Sequence, residues 1–193
     1  MEDQGIILRR LPYSETSFII SWLTAQNGLL RTIAKGATRP GQPLHGRTDI
    51  FSQGRVCWVP SARSQLHILK EVVVEQANRE LARSYASLLA ATYFYEIIEL
   101  LVEPQHPVPE IYELYRRALH YLQARPASPL LVERFERKLL DLLGLHHGAQ
   151  SIAQLRRHAY PRQPKTYLRL TAELAKAGPT APLGFNAPGG NKS

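Results

Sequence analysis

The chain is predicted to be an α+β protein, a five-stranded β-barrel of the OB type followed by an α-helical domain. Two patterns predict it. Through about residue 75 the chain consists of short β-rich apolar stretches separated by Gly, Pro, Ser and Asn. From Asn78 onward the apolar residues recur instead at spacings of three and four. No helical pattern separates the early strands, so a parallel sheet is not expected and a Greek-key barrel is.

The strands read as Gly5 to Arg10, Ser17 to Leu23, Leu29 to Lys35, Gln53 to Val59 and Gln65 to Val74. The second and third enclose Ala25-Gln26-Asn27-Gly28, and Asn-Gly supplies the positive φ angles of a tight hairpin. After the third strand comes Lys35-Gly36-Ala37-Thr38-Arg39-Pro40-Gly41, without an acidic residue. This reads as a mobile basic loop suited to a polyanion, and Leu44, His45 and Arg47 extend it beyond a plain hairpin connection.

The first helix is expected from Asn78, with Leu81, Tyr85, Leu88, Leu89, Tyr93, Ile97 and Leu101 on its apolar face and Pro104 and Pro107 ending it. A second runs from about Glu110, after Pro109, to Ala124. Ser128 can cap a third, with Pro129 at its first position, Phe135 to Leu143 on its buried face and Gly144 as its stop. Ser151 to Arg157 and a segment after Pro164-Lys165-Thr166 reaching Ala177 read as two short helices. The domains are therefore 1–77 and 78–177, with the clearest pattern up to 147, and 178–193 reads as a disordered tail rich in Gly and Pro.

Charge is unevenly distributed over the 193 residues, whose net charge is +8. Residues 1–70 hold nine Lys/Arg against four Asp/Glu, residues 71–150 eight against eleven, and residues 151–193 seven against one. Basic ends around an acidic middle suit phosphate neutralisation with counterion release, or serve solubility alone. The candidates for DNA contact are Arg9, Arg10, Arg31, Lys35, Arg39, Arg47, Arg55, Arg63 and Lys70, with Tyr13 and Trp58 as rings for base stacking or for packing. Lys35 and Arg39 lead this set, while an Arg between apolar neighbours, such as Arg31, also fits the wet face of a strand.

The chemistry of enzymes is not legible here. No phosphate-binding Gly-rich motif is present, and Glu96, Glu99 and Glu103 have the spacing of a solvated helix stripe. Cys57 alone makes neither an internal disulfide nor a thiolate zinc site, and the adjacent His146 and His147 diverge, so no metal and no cofactor are expected. No run approaches the roughly 18 apolar residues of a membrane span. The acidic first residues, Glu2 and Asp3, are unlike a signal peptide. A cytoplasmic protein without membrane contact is expected.

The order Pro12-Tyr13-Ser14-Glu15-Thr16-Ser17, Thr24, Gly28, Ala34-Lys35-Gly36-Ala37, Leu69-Lys70-Glu71, Arg134-Phe135-Glu136 and Leu139-Leu140-Asp141-Leu142-Leu143-Gly144 resembles the RecO recombination mediators of bacteria over roughly residues 4–147. The chain departs from the family in lacking its common four-cysteine zinc site. The resemblance implies a non-enzymatic, nucleoid-associated DNA-repair protein. It would bind single- and double-stranded DNA, anneal complementary strands coated with single-stranded-DNA-binding protein, and with RecR help load RecA. It also implies that the acidic, hydrophobic C-terminal tail of the single-stranded-DNA-binding protein docks on the helical domain. Tyr112, Leu119 and Leu131 would line that pocket, with Arg116, Arg117 and Arg134 at its rim, although Leu119 and Leu131 also read as core. Two other readings stay open: an adaptor of the same fold without DNA binding, and a metal-dependent nucleic-acid enzyme.

Overall fold

Five strands close into a barrel in the order β1-β2-β3-β5-β4, with β4 returning to pair with β1. The computed structural model describes residues 1–145 and 151–176. The strands are β1 (Glu2–Ser14), β2 (Ser17–Thr24), β3 (Gly28–Ala34), β4 (Gln53–Val59) and β5 (Leu66–Gln76). All neighbours are antiparallel except β3 and β5, whose short parallel pairing through Arg31↔Leu66 and Ile33↔Ile68 closes the OB-type cylinder. The predicted fold class holds; closing five alternating strands into a ring leaves one pair of neighbouring strands, β3 and β5, running parallel.

Alternation sets the two faces of the barrel wall. Ile7, Ile20, Trp22, Leu30, Val56, Trp58, Leu69 and Val72 fill the interior. The indole N–H of Trp22 donates to Thr32 Oγ1 at 2.8 Å, which satisfies the one polar atom this large ring buries. Trp58 is likewise core, so it offers no stacking surface.

The β2–β3 hairpin turns where Asn27-Gly28 predicts. Gly28 has φ 62°, and a Cβ there would lie 1.9 Å from the His106 carbonyl oxygen, so both backbone angle and space demand glycine. One carboxylate oxygen of Asp3 accepts from Gln26 N–H, Asn27 N–H and the Asn27 side-chain amide at 2.8–3.0 Å.

Three differences from the expected elements have local causes. β1 is longer at both ends, because Glu2 to Ile6 pair with β4 while Pro12 occupies a strand position opposite Phe18. The first helix does not start at Asn78. A 3-10 turn (Arg79–Arg83) comes first, and the Ser84 side chain then caps α1 (Tyr85–Leu101) by accepting from Ser87 N–H. Finally, the basic loop is folded back on the barrel rather than free: successive turns run from Gly36 to Arg47, and Ala37 and Leu44 insert into the barrel core.

The helix α2 (Pro109–Ala124) begins one residue before the expected Glu110, at Pro109 itself; α3 (Pro129–Leu142) begins at its predicted proline, and Ser128 caps it by accepting from Leu131 N–H. Two shorter helices follow, α4 (Ile152–Ala159) with a Ser151/Gln154 capping box and α5 (Tyr167–Lys176). Phe94 of α1 stacks on Phe135 of α3, with ring centroids 3.9 Å apart. Ile6, Leu8, Leu23, Leu29 and Phe51 of the barrel wall and its loop join this helical core, so hydrophobic packing is continuous across the junction. Asn78 marks that junction with φ 49°; its amide donates to the Phe51 carbonyl at 2.7 Å and accepts from Gln123 of α2 at 2.6 Å. His146, His147 and the tail from 178 lie outside the described residues.

Candidate nucleic-acid interface

Register decides which cations share a surface. Arg9 pairs with Ser21, and Ser21 with Arg31, so these three side chains form one row across β1, β2 and β3. A bulge between Ile7 and Arg9 shifts β1 by one residue and puts Arg9 on this outward row. The next row, Leu11–Ile19–Ile33–Ile68–Val59, crosses all five strands on the same outward face, and Leu11 and Val59 are exposed.

Arg9 and Arg31 are exposed, and neither has an ion pair with another described residue. Both line a cleft of about 360 Å³ between the barrel and the helices, together with Ser21, Gln65 and Glu99. Arg162, from the segment between α4 and α5, lines it from the other side. That segment is held over α1 by Thr166 N–H donating to Glu96 at 2.9 Å. The expected solvated stripe of Glu96, Glu99 and Glu103 is thus a correction: only Glu103 stays exposed, because α5 and its approach cover the other two. Burial pushes the Glu99 carboxyl above its usual range, against the opposing pull of Arg9, Arg31 and Arg162.

The other barrel candidates divide by what they already touch. Arg10 reaches the Thr48 carbonyl and Asp49, each at 3.3 Å, and lies over the Phe18 ring, so it fastens the long loop. Arg55 pairs with Glu2 at 3.5 Å, and Arg47 donates to the Val72 carbonyl at 3.4 Å. Lys35, Arg39, Arg63, Lys70 and Tyr13 are exposed. Cys57 is half-buried, and burial and its contact with Glu2 push its thiol up, away from the reactive thiolate. Buried His67 has its pKa lowered and accepts the Ser61 N–H, a packing role.

The six helical-domain candidates differ in their access to solvent. Leu119 is fully buried and Tyr112 nearly so; both are core, and burial pushes the Tyr112 phenol up to about 12. Leu131 is half-buried against the same core. Arg116 and Arg117 both grip Glu113, holding its carboxyl down at about 2, so one carboxylate offsets half of their charge. Arg134 is exposed on α3.

An open cavity of the helical part is lined by other residues. About 370 Å³ are enclosed by Tyr93, Tyr160, Tyr167, Arg156, Arg157 and Arg162, with Ala153 at the edge. Its floor is a buried network: Glu136, fully buried on α3, accepts from Tyr93 and Tyr160 and from two guanidinium nitrogens of Arg156 at 2.7 and 2.6 Å. Arg156 also donates to Tyr167 Oη at 2.9 Å and lies over its ring. From the sequence Tyr93 reads as an apolar-face residue, Glu136 as part of a family motif and Arg157 as a helix end, and none of these residues is assigned to a site, because nothing local says that α4 and α5 fold back onto α1 and α3. Among the described residues, no three His, Cys, Asp or Glu side chains gather where they could hold a metal ion.

An OB-type barrel with a basic outward row, closed onto a helical unit, defines the class of architecture. Residues 1–77 match the family model for Recombination protein O N terminal, and residues 82–153 that for Recombination protein O C terminal. "DNA repair protein RecO" of Idiomarina loihiensis is 31% identical over 144 residues, covering 75% of this chain and 61% of that protein. The protein of the same name from Mannheimia succiniciproducens is 33% identical over 142 residues (72% and 59%), and that from Pseudoalteromonas atlantica 31% over 174 (88% and 68%). The chain belongs to the RecO family of DNA repair proteins. It spans about three fifths of the length of the curated relatives it matches. No helix among the described residues is long and apolar enough to cross a membrane.

Proposed function

We propose that this chain is a non-enzymatic recombination mediator that binds DNA along the barrel's outer face, anneals complementary strands and helps load recombinase onto single-stranded DNA. The observation that carries the reading is the row Arg9–Ser21–Arg31, which places two cations without ion partners among the described residues beside a third, Arg162. Glu99 offsets part of this charge, and phosphates supply the rest. Lys35 and Arg39 extend the basic surface, with the loop's inserted Leu44 fixing where they project.

Partners in this reading are single- and double-stranded DNA, the acidic tail of single-stranded-DNA-binding protein, RecR and, through them, RecA. With Leu119 and Tyr112 in the core, Arg117 and Arg134 are the exposed members of the tail site, beside the half-buried Arg116 and Leu131. The association with the nucleoid follows from DNA binding. A protein-interaction adaptor with little DNA binding is the second reading, favoured by the outward aliphatic row Leu11–Ile19–Ile33–Ile68–Val59, which offers apolar surface but no ring to a base. Titration of the full chain with single-stranded oligonucleotide at several salt concentrations separates the two. The mediator binds with a negative slope of log affinity against log salt, and the adaptor does not bind.

A further inference from the structure

The cleft at the barrel and the cavity in the helical part are neighbours. Arg162 lines both, and a small space of about 80 Å³ that shares lining residues with each is bounded by Arg9, Glu96, Glu99, Arg162, Gln163 and Pro164. The three spaces thus follow one another from the basic row of the barrel, past Arg162, to the cavity walled by Tyr160 and Tyr167. Arg9, Arg31, Arg157 and Arg162 are exposed along it and have no ion pair among the described residues. The neighbouring Glu136 is already neutralised by Arg156 and is fully buried, and two half-buried carboxylates, Glu96 and Glu99, border the track against these four arginines. What remains is a positively charged track ending in an aromatic-walled recess.

We propose that this recess seats an unpaired base of a single-stranded nucleic acid whose phosphates cross Arg162 towards Arg31 and Arg9. The inference rests on the nucleic-acid reading above and deepens it, because it specifies the form of the strand. A volume of about 370 Å³ lies within the roughly 300–1,000 Å³ range of small-ligand pockets, enough for a ring system but closed to a duplex, whose bases stay stacked inside. Tyrosine walls serve every base alike, since stacking uses the π-face and not the hydrogen-bonding edge. The walls are fixed before binding: Tyr93 and Tyr160 bond to Glu136, and Tyr167 to Arg156. Adjacency to the arginine row of the barrel, which an isolated peptide pocket would not need, selects nucleic acid over an acidic peptide as the occupant.

The test uses the full chain, an oligonucleotide of about 15 nucleotides carrying one 2-aminopurine, the corresponding duplex, and an acidic peptide ending in an apolar residue. Arg162→Ala removes an exposed side chain. Ala153→Glu places a carboxylate at the rim in the first turn of α4, where acidic residues suit the helix. Both variants should melt as the parent does. Single-strand affinity is expected to fall about 5- to 20-fold in each, with the salt slope of Arg162→Ala flatter by about one unit, while duplex affinity changes less than about twofold. Quenching of 2-aminopurine, present with the parent, is lost in Ala153→Glu. Tyr167→Phe keeps the quenching, and Tyr167→Leu loses it. Equal weakening of single strand and duplex, unchanged single-strand binding, or loss of the acidic peptide alone would each overturn the proposal. Failure of the broader reading looks different: the parent itself then binds neither nucleic acid.

Discussion

Arg156 and Glu136 form a two-point ion pair, with nitrogen to oxygen distances of 2.7 and 2.6 Å, that fastens α4 to the face of α3. Glu136 is fully buried and Arg156 about a quarter exposed, so the pair is largely shielded from water. Removing either partner strands a charge; removing both does not.

Arg156→Met should therefore destabilise the protein by about 3–5 kcal/mol, and Glu136→Gln alone by a similar order, whereas the double variant should recover part of the loss. Urea unfolding of the four proteins closes the cycle. Additive losses would mean that the two residues act independently.

Glu99 predicts a pH dependence of the opposite kind to an ordinary salt-bridged carboxylate. Its folded-state pKa is raised, chiefly by burial, so folding disfavours its charged form. The resulting penalty is absent below the unfolded-state value and grows as pH rises through the folded one. Glu99→Gln should raise Tm by a few degrees at pH 7, and the gain should vanish below about pH 4. The same variant should tighten single-strand binding about threefold at pH 7 by removing an anion from between Arg9, Arg31 and Arg162. A Tm gain that is constant with pH would show that Glu99 is not the titrating group.

The long loop gives a third expectation. Lys35 and Arg39 are exposed on turns anchored by the buried Ala37 and Leu44. Lys35→Ala with Arg39→Ala should leave melting unchanged and flatten the salt slope of oligonucleotide binding by about one unit per lost phosphate contact. An unaltered slope at unaltered affinity removes the loop from the interface.

The barrel was legible because its information is local. Asn27-Gly28 announces its own turn, and the β-rich apolar run from Leu29 to Ala34 marks a strand, in which Arg31 is the exposed position. Helix starts at Pro109 and Pro129 were equally local. The start of α1 was not: the apolar spacing from Leu81 continues the helical rhythm, yet Ser84 caps a new helix and leaves Leu81 in a 3-10 turn. The candidate site was legible only in part. Arg9 and Arg31 could be named from charge, but their shared row depends on a bulge that no residue type declares. Arg162 and the tyrosine cavity depend on where α4 and α5 settle, a long-range packing choice invisible in their own sequence.

Asn78 carries a consequence for which substitutions the junction admits. The position requires a residue at ease with φ 49°, a side-chain donor for the Phe51 carbonyl and a side-chain acceptor for Gln123. Glycine meets the first demand alone, and ionised aspartate meets the first and the third. A longer amide brings both hydrogen-bonding groups but not the tolerance for the left-handed region. Asparagine is the side chain that satisfies all three at once, so the hand-over from barrel to helices is written in a single amino acid whose nearest chemical relatives each break a different part of it.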